Sequence, residues 1–411
     1  MVDIDMSVRV GRVNFKNPIW AASGHITHTG MLLKKCIKAG VGAVETKSIG
    51  NNPQEWFWPR PANVFHDKYG EPGGLSTMEM AYRKPEQGVN DIKEAKTLAV
   101  KEDVVIIGDI SAPFDEPEKW AEMGRSVEEA GADIIEPMIG CPIEVPSFEE
   151  MKKIMKTNLR EIMKALKETV SVPIIAKFLW QNEFYVREIA QEFEKTGADA
   201  IHINAFVPGV VINIKTGRPP IPIIMHYGPR WRGSGNFSTA IAKKFVKIPI
   251  VSSGGIQTWY EIVERLMAGA TLAAIQTSVQ YKGYQLFKDM VRGVKDFMEN
   301  NGYSRVEDMI GIATPHIGNM QEFAQLLKET CVPKESLTMV VDEEKCTGCR
   351  KCESCSFGAI TVRNNLAKID LELCERCGDC VSICPEDAIT MKRVADGRDQ
   401  SLERLSLLLG K

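Results

Sequence analysis

The sequence predicts an α/β chain: a (β/α)8 barrel followed by a small, cysteine-rich α+β domain. Two observations carry this. Between residues 7 and 300, short β-rich apolar runs alternate with amphipathic helical stretches, and several of the helical stretches end at a glycine just before the next run. The last quarter then holds eight of the 11 cysteines in two evenly spaced runs. A chain of 411 residues has room for both, since a barrel of this kind takes about 250 residues.

Ahead of the barrel, Val8-Arg9-Val10 and Val13-Asn14-Phe15 flank a Gly11-Arg12 turn, a hairpin suited to plug the barrel floor. The strand candidates are Ile19–Ser23, Ala43–Ser48, Val104–Ile110, Asp133–Ile139, Ile174–Phe178, Ala200–Asn204, Ile250–Ser253 and Leu272–Gln276. Helical patterns such as Met151–Glu168, Tyr185–Thr196 and Tyr260–Ala268 lie between them, and Gly40, Gly197 and Gly269 stand where C-terminal caps belong. An open sheet binding a dinucleotide should show G-x-G-x-x-G after its first strand. None is present, which favours closure. The barrel is assigned residues 1–302, a helical linker 303–341, the cysteine domain 342–392 and a tail 393–411. The tail is leucine-spaced at Leu402, Leu405, Leu407 and Leu409, a terminal helix or an interface strip; a homo-oligomer is expected.

A net charge of −3 supplies no basic field, so nucleic acid is not an expected partner. Met1-Val2-Asp3-Ile4-Asp5 has neither the basic start nor the apolar stretch of a signal peptide. No run approaches the ~18 apolar residues of a membrane span. Thiolates held by metal belong in a reducing compartment, so a cytoplasmic location is expected.

The cysteine runs read Cys346-x2-Cys349-x2-Cys352-x2-Cys355 and Cys374-x2-Cys377-x2-Cys380-x3-Cys384-Pro385. Three thiolates spaced by two residues wrap one face of a cubane cluster, and a fourth, followed by Pro, reaches the neighbouring cluster. A zinc site needs only four ligands, usually as two separated pairs. Two 4Fe–4S clusters, and hence one-electron traffic, are the reading. The runs are halves of an internal repeat: Asp342-Glu343-Glu344-Lys345-Cys346 is echoed by Asp370-Leu371-Glu372-Leu373-Cys374. The first half is one residue short between its last two cysteines, and Ser356 stands where the second has Pro385. Either Cys355 serves as the fourth ligand of the Cys374–Cys377–Cys380 cluster, or another ligand or a three-iron cluster takes its place.

In a (β/α)8 barrel the chemistry lies where strands end, on the C-terminal rim. Those ends read Ala22-Ser23-Gly24-His25, Thr46-Lys47-Ser48, Ile139-Gly140-Cys141-Pro142, Ala176-Lys177-Phe178, Ile203-Asn204-Ala205, Ser253-Gly254-Gly255 and Gln276-Thr277-Ser278. Gly254-Gly255 and Thr277 close the seventh and eighth strands, where barrels commonly build a phosphate site from backbone N–H groups. Lys177 ends the fifth strand, and a cation in a barrel mouth is costly unless it faces an anion.

Taken in order, these ends resemble the dihydroorotate dehydrogenase family. The closer resemblance is to the C-terminal half of dihydropyrimidine dehydrogenase, an FMN barrel followed by two 4Fe–4S clusters. It runs from Val8-Arg9-Val10-Gly11 through Lys16-Asn17-Pro18 to Cys384-Pro385. The resemblance implies FMN held by Ala22, Ser23, Gly24, Lys47, Lys177, Asn204, Gly233, Ser234, Ser253, Gly254, Gly255, Thr277 and Ser278, with Lys177 at the pyrimidine ring and Lys47 beside flavin and substrate. It places the acid–base residue at Cys141; a thiol with a reference pKa near ~8.5 can give and recover a proton at ordinary pH. It further implies either a separate FAD-containing, NAD(P)H-dependent partner subunit or a ferredoxin.

Substrate contacts are expected from His25, Trp56, Met138, Asn204, Arg230 and Arg232. Trp56 and Trp58 read equally as a lid over the flavin or as loop packing, and the arginines equally as surface residues. The family reads a pyrimidine with side-chain amides. Here Met138-Ile139-Gly140-Cys141-Pro142 replaces an Asn-Leu-Ser-Cys-Pro-like segment, Asn204 is followed by Ala205 rather than Thr, and Glu71-Pro72-Gly73-Gly74 offers no Asn. The expected activity is therefore flavin- and iron–sulfur-dependent oxidoreduction at a C=C bond beside a carbonyl, on a substrate other than a plain pyrimidine. The alternatives are a dihydropyrimidine or dihydroorotate dehydrogenase catalytic subunit and, from another class, an electron-transfer subunit without chemistry of its own.

Overall fold

The computed structural model describes residues 4–50, 63–66, 72–76, 82–139, 157–178, 183–203, 207–210, 212–219, 224–318, 325, 333–395 and 397. They fall into two compact units, divided between Ile317 and Gly318.

The first unit is built on eight parallel strands: β1 (Ile19–Ala21), β2 (Ala43–Glu45), β3 (Val105–Ser111), β4 (Ile134–Pro137), β5 (Ile175–Phe178), β6 (Ala200–Ile203), β7 (Ile250–Ser253) and β8 (Leu272–Ile275). Each pairs with the next in chain order, and β8 returns to β1 with Ala273 opposite Ile19. The β4–β5 seam is made by parallel bridges at Ile135–Ile174 and Met138–Lys177. The sheet is a closed (β/α)8 barrel, as the alternation of the sequence requires. Its strands are buried on both faces, which is why they read as continuous apolar runs.

Observed strands stop short of the expected ones: β1 at Ala21 rather than Ser23, and β2 at Glu45 rather than Ser48. Just past these ends, Ala22 and Thr46 still donate backbone N–H bonds to Ile275 and Ile107 of the neighbouring strands. Helices Leu159–Thr169, Glu183–Lys195 and Trp259–Met267 occupy the expected intervals. Gly40 and Gly197 adopt φ of +88° and +83° immediately after their helices, the left-handed stop that glycine takes without strain.

The floor hairpin is present, with Val8 opposite Phe15 and Val10 opposite Val13. Val8, Val10 and Phe15 are buried, and a Cβ at Gly11 would meet Pro173, just before β5 begins. The hairpin therefore closes the N-terminal end of the barrel.

Two features depart from the sequence reading. Asn63–His66, Pro72–Ser76, Val207–Gly209 and Ile224–Tyr227 form a four-stranded antiparallel sheet from the segments that follow β2 and β6. In addition, residues 303–341 are not a helical linker where they are described. Val306–Met309 and Thr314–His316 are single 3-10 turns of the barrel unit, with Val306 and Met309 in its core. Leu337–Val341 is a strand of the second unit. Residues 319–324 and 326–332 of the 303–341 span, the leucine-spaced tail, Trp56, Trp58, Cys141 and Asn204 lie outside the described residues.

In the second unit Leu337–Val341 pairs antiparallel with Ile389–Arg393, and Ile360–Arg363 with Leu366–Ile369. Leu337, Met339, Ile360, Val362, Ala367, Ile389 and Met391 form a small core that includes Cys352, Cys374 and Cys380.

Candidate functional site

Five consecutive strands each place an ionisable side chain inside the barrel. Glu45 ends β2, Asp109 lies in β3, Glu136 in β4, Lys177 in β5 and His202 in β6. Strand register brings them level: Asp109 is opposite Glu136, and Lys177 is opposite His202. The Lys177 ammonium donates to Glu45, to Asp109 Oδ2 at 3.0 Å and to Glu136 Oε1 at 2.9 Å. The three carboxylates are fully buried, and Lys177 is 4% exposed.

Neutral donors complete the cage. The Trp20 indole N–H and the Ser23 backbone N–H donate to Glu45 Oε2 at 3.1 and 2.9 Å, and the Ser48 hydroxyl donates to Asp109 at 3.0 Å. His202 Nδ1 lies 3.1 and 3.2 Å from the two Glu136 oxygens. Burial pushes the His202 pKa down to about 3, so the ring is neutral. Burial also raises Asp109 to about 6 and Glu136 to about 7, against the pull of Lys177. Glu45 is raised by burial and by the neighbouring Glu136. Lys177 is held well above its ordinary value because three carboxylates outweigh its own desolvation. The anion that a buried Lys177 requires is thus supplied within the protein.

Beside this cage the rim carries a cradle. Gly254 and Gly255 have φ of +85° and +76°, and a Cβ on Gly255 would come within 2.5 Å of the Arg232 backbone nitrogen. The end of β7 therefore abuts the first turn of helix Arg232–Phe245, where Gly233 and Ser234 are exposed. Ser253 and Ser278 are buried, and the Ser278 hydroxyl has no partner. A Cβ on Gly24 would strike the Gln276 side chain at 2.5 Å, so the ends of β1 and β8 touch. Small residues, free helix N–H groups and an orphaned buried hydroxyl fit a phosphate-bearing group.

In the cysteine unit all eight thiols are free. Cys346, Cys349, Cys352 and Cys384 line one small cavity; Cys355, Cys374, Cys377 and Cys380 line a second, which Cys352 also borders. The sequence-distant partners Cys384 and Cys355 have therefore crossed to each other's run. Backbone N–H groups of Arg376 and Ala388 donate to Cys374 and Cys384 sulfur at 3.4 and 3.3 Å. Burial raises Cys380 to about 11, with the neighbouring Cys374, Cys377 and Cys355 adding to the rise. Without a cation, thiolates this close together are disfavoured and the thiols stay protonated; iron would reverse this by holding them as thiolates.

The profile of the dihydroorotate dehydrogenase family matches residues 5–298, and that of the 4Fe–4S binding domain matches residues 367–390. The chain belongs to the dihydroorotate dehydrogenase family. It is an oxidoreductase of the kind that acts on CH–CH donors, carrying a flavin-type barrel and a 4Fe–4S motif. It is 31% identical over 309 residues to the "Dihydroorotate dehydrogenase B (NAD(+)), catalytic subunit" of Methanocaldococcus jannaschii, covering 73% of this chain and 95% of that protein. The protein of the same name from Pyrococcus abyssi is 29% identical over 313 residues, 75% and 99% of the two chains. The "NAD-dependent dihydropyrimidine dehydrogenase subunit PreA" of Escherichia coli is 25% identical over 373 residues, 86% of this chain and 85% of that one.

Within the family frame, the structure brings Lys47, Lys177, Met138 and the Gly254–Gly255 cradle to the same end of the barrel. Lys47 is buried two residues beyond Glu45, and Met138 is bridged to Lys177. Arg232 is turned elsewhere: its guanidinium grips Glu264 at 2.5 Å and lies over the Tyr260 ring. That ion pair joins neighbouring helices, so the substrate contact suggested for Arg232 gains no support. Arg230 is exposed, and His25 is half-buried at the start of a 3-10 turn. Sequence reasoning missed Glu45, Asp109, Glu136 and His202. The available signal was a charged or imidazole side chain within an otherwise apolar strand, repeated in successive strands. Among the described residues, no helix is long and apolar enough to cross a membrane.

Proposed function

We propose that the chain is the catalytic subunit of a flavin- and iron–sulfur-dependent enzyme that reduces, or forms, a C=C bond conjugated to a carbonyl in a substrate less polar than a pyrimidine. The observation that carries the substrate class is Met138. Met138 is buried and its backbone bridges that of Lys177, at the position where a pyrimidine-reading site needs an amide. A site built on hydrogen bonds loses about 10⁴–10⁵ in discrimination when those partners are missing.

FMN would be held with its phosphate at the cradle by Gly233, Ser234, Ser253, Gly254, Gly255, Thr277 and Ser278, and its ring system by Ala22, Ser23, Gly24, Asn204 and Lys177. Bound there, it would supply hydride chemistry at N5. Cys141 holds the proton for the neighbouring carbon, and Lys47 orients the carbonyl side of the substrate. The eight thiolates would hold two 4Fe–4S clusters, which would supply one-electron exchange with an FAD-containing, NAD(P)H-oxidising subunit or a ferredoxin.

Anaerobic reoxidation of the dithionite-reduced chain by uracil, thymine, orotate and a set of cyclic and aryl enones tests the reading. The expected result is fast turnover with an enone and none with the pyrimidines; uracil, thymine or orotate matching the best enone would refute it and favour a dihydropyrimidine or dihydroorotate dehydrogenase. NADH added to the chain alone should not be consumed. For the clusters, Cys355→Ala should lose about four of about eight irons. Unchanged iron content and an unchanged paramagnetic spectrum would exclude Cys355 as a ligand.

A further inference from the structure

The cage around Lys177 has a charge problem that its contacts leave unsolved. Three fully buried carboxyls face one ammonium, and the remaining titratable partner, His202, is neutral. Full ionisation would leave uncompensated negative charge in the barrel interior, which is strongly unfavourable. Asp109 Oδ1 is buried without a partner, as is His202 Nε2. Asp109 and Glu45 lie within hydrogen-bonding reach of each other, and a proton on one of them is held by the other. The charged and titratable groups that face one another here are Glu45 from β2, Asp109 from β3, Glu136 from β4, Lys177 from β5 and His202 from β6; β1 contributes only the neutral Trp20 indole and Ser23 N–H groups.

We propose that Glu45, Asp109 and Glu136 act as a proton-holding counter-charge to Lys177: they set how much positive charge Lys177 would show a bound flavin, and they would take up a proton when that flavin is reduced. The inference rests on the FMN reading above. If a bound flavin received two electrons from dithionite or an electrode and one proton from solvent, the cage would take up a second solvent proton, so that one carboxylate becomes a carboxylic acid. The raised pKa values of Asp109 and Glu136, about 6 and 7, put that uptake near neutral pH. Three carboxyls so closely coupled titrate as a unit. They are positioning residues, acting through Lys177.

The test is a spectroelectrochemical titration of the anaerobically prepared full chain, with reduced-minus-oxidised infrared spectra. Glu45→Gln keeps an acceptor for Trp20 and Ser23 but removes one negative charge beside Lys177. It should favour reduced over oxidised flavin about tenfold, an upward shift of ~30 mV for a two-electron couple. Wild type should gain a protonated-carboxyl band on reduction, and Glu136→Gln should lose or displace that band. An unmoved potential in Glu45→Gln overturns the proposal. So does a wild-type spectrum with no carboxyl band, a measurement that needs no variant to fold. Wild-type protein that takes up no FMN would instead overturn the functional reading, and this inference with it.

Discussion

Lys177→Met is expected to destabilise the barrel by about 3–5 kcal/mol near pH 8, the usual consequence of leaving buried charge without its partner. Lys177 is the cation for three fully buried carboxylates, and among the described residues no other ammonium or guanidinium is recorded within reach of them. The loss should depend on pH with a definite sign. Asp109, Glu136 and Glu45 already have folded-state pKa values above their unfolded ones, so their contribution is fully present below the unfolded carboxylate range; for Asp109 and Glu136 it is lost as pH rises through about 6 to 7. Without Lys177 these values rise further, since the attractive charge is gone. The variant should therefore lie close to wild type at pH 5 and fall away towards pH 8. Denaturant midpoints of the two proteins at both values check this; equal midpoints at pH 8 would mean that the carboxyls have another source of compensation.

Cys141→Ala is expected to slow reoxidation of the reduced enzyme by its substrate about 10²–10⁴-fold, the range for losing a positioned proton donor. Flavin content, iron content and the rate of reduction by dithionite should not change, because the thiol is assigned to neither cofactor. Cys141→Ser should fall between the two, since a hydroxyl can occupy the same place but gives up its proton less readily. Stopped-flow reoxidation by the best enone reads the effect directly. If the alanine variant reoxidises as fast as wild type, the proton comes from elsewhere and the non-catalytic electron-transfer reading gains ground.

The barrel was legible because its physics is local: a strand buried on both faces must be apolar throughout, and a helix returning to the next strand needs a glycine stop. The cysteine runs were legible because cluster ligation fixes their spacing. The cage was not. Glu45, Asp109, Glu136, Lys177 and His202 are separated by 25 to 64 residues at each step, and only closure of the sheet brings them level. Lys177 showed in the sequence as a rim cation, but its partners looked like isolated polar interruptions of strands. The antiparallel sheet beyond β2 and β6 was hidden for a related reason. Pro72-Gly73-Gly74-Leu75-Ser76 has weak strand propensity, and Ile224–Tyr227, with which it pairs, lies far along the chain.

The pairing of Leu337 with Arg393 has a consequence for how such chains come into being. Among the described residues, the first and the last strand of the cysteine unit therefore lie side by side. A unit wired in this way can be spliced into a surface loop of another protein, or removed from one, without stretching either backbone. Gene fusion can therefore append it to a barrel while leaving that fold to close on itself as before.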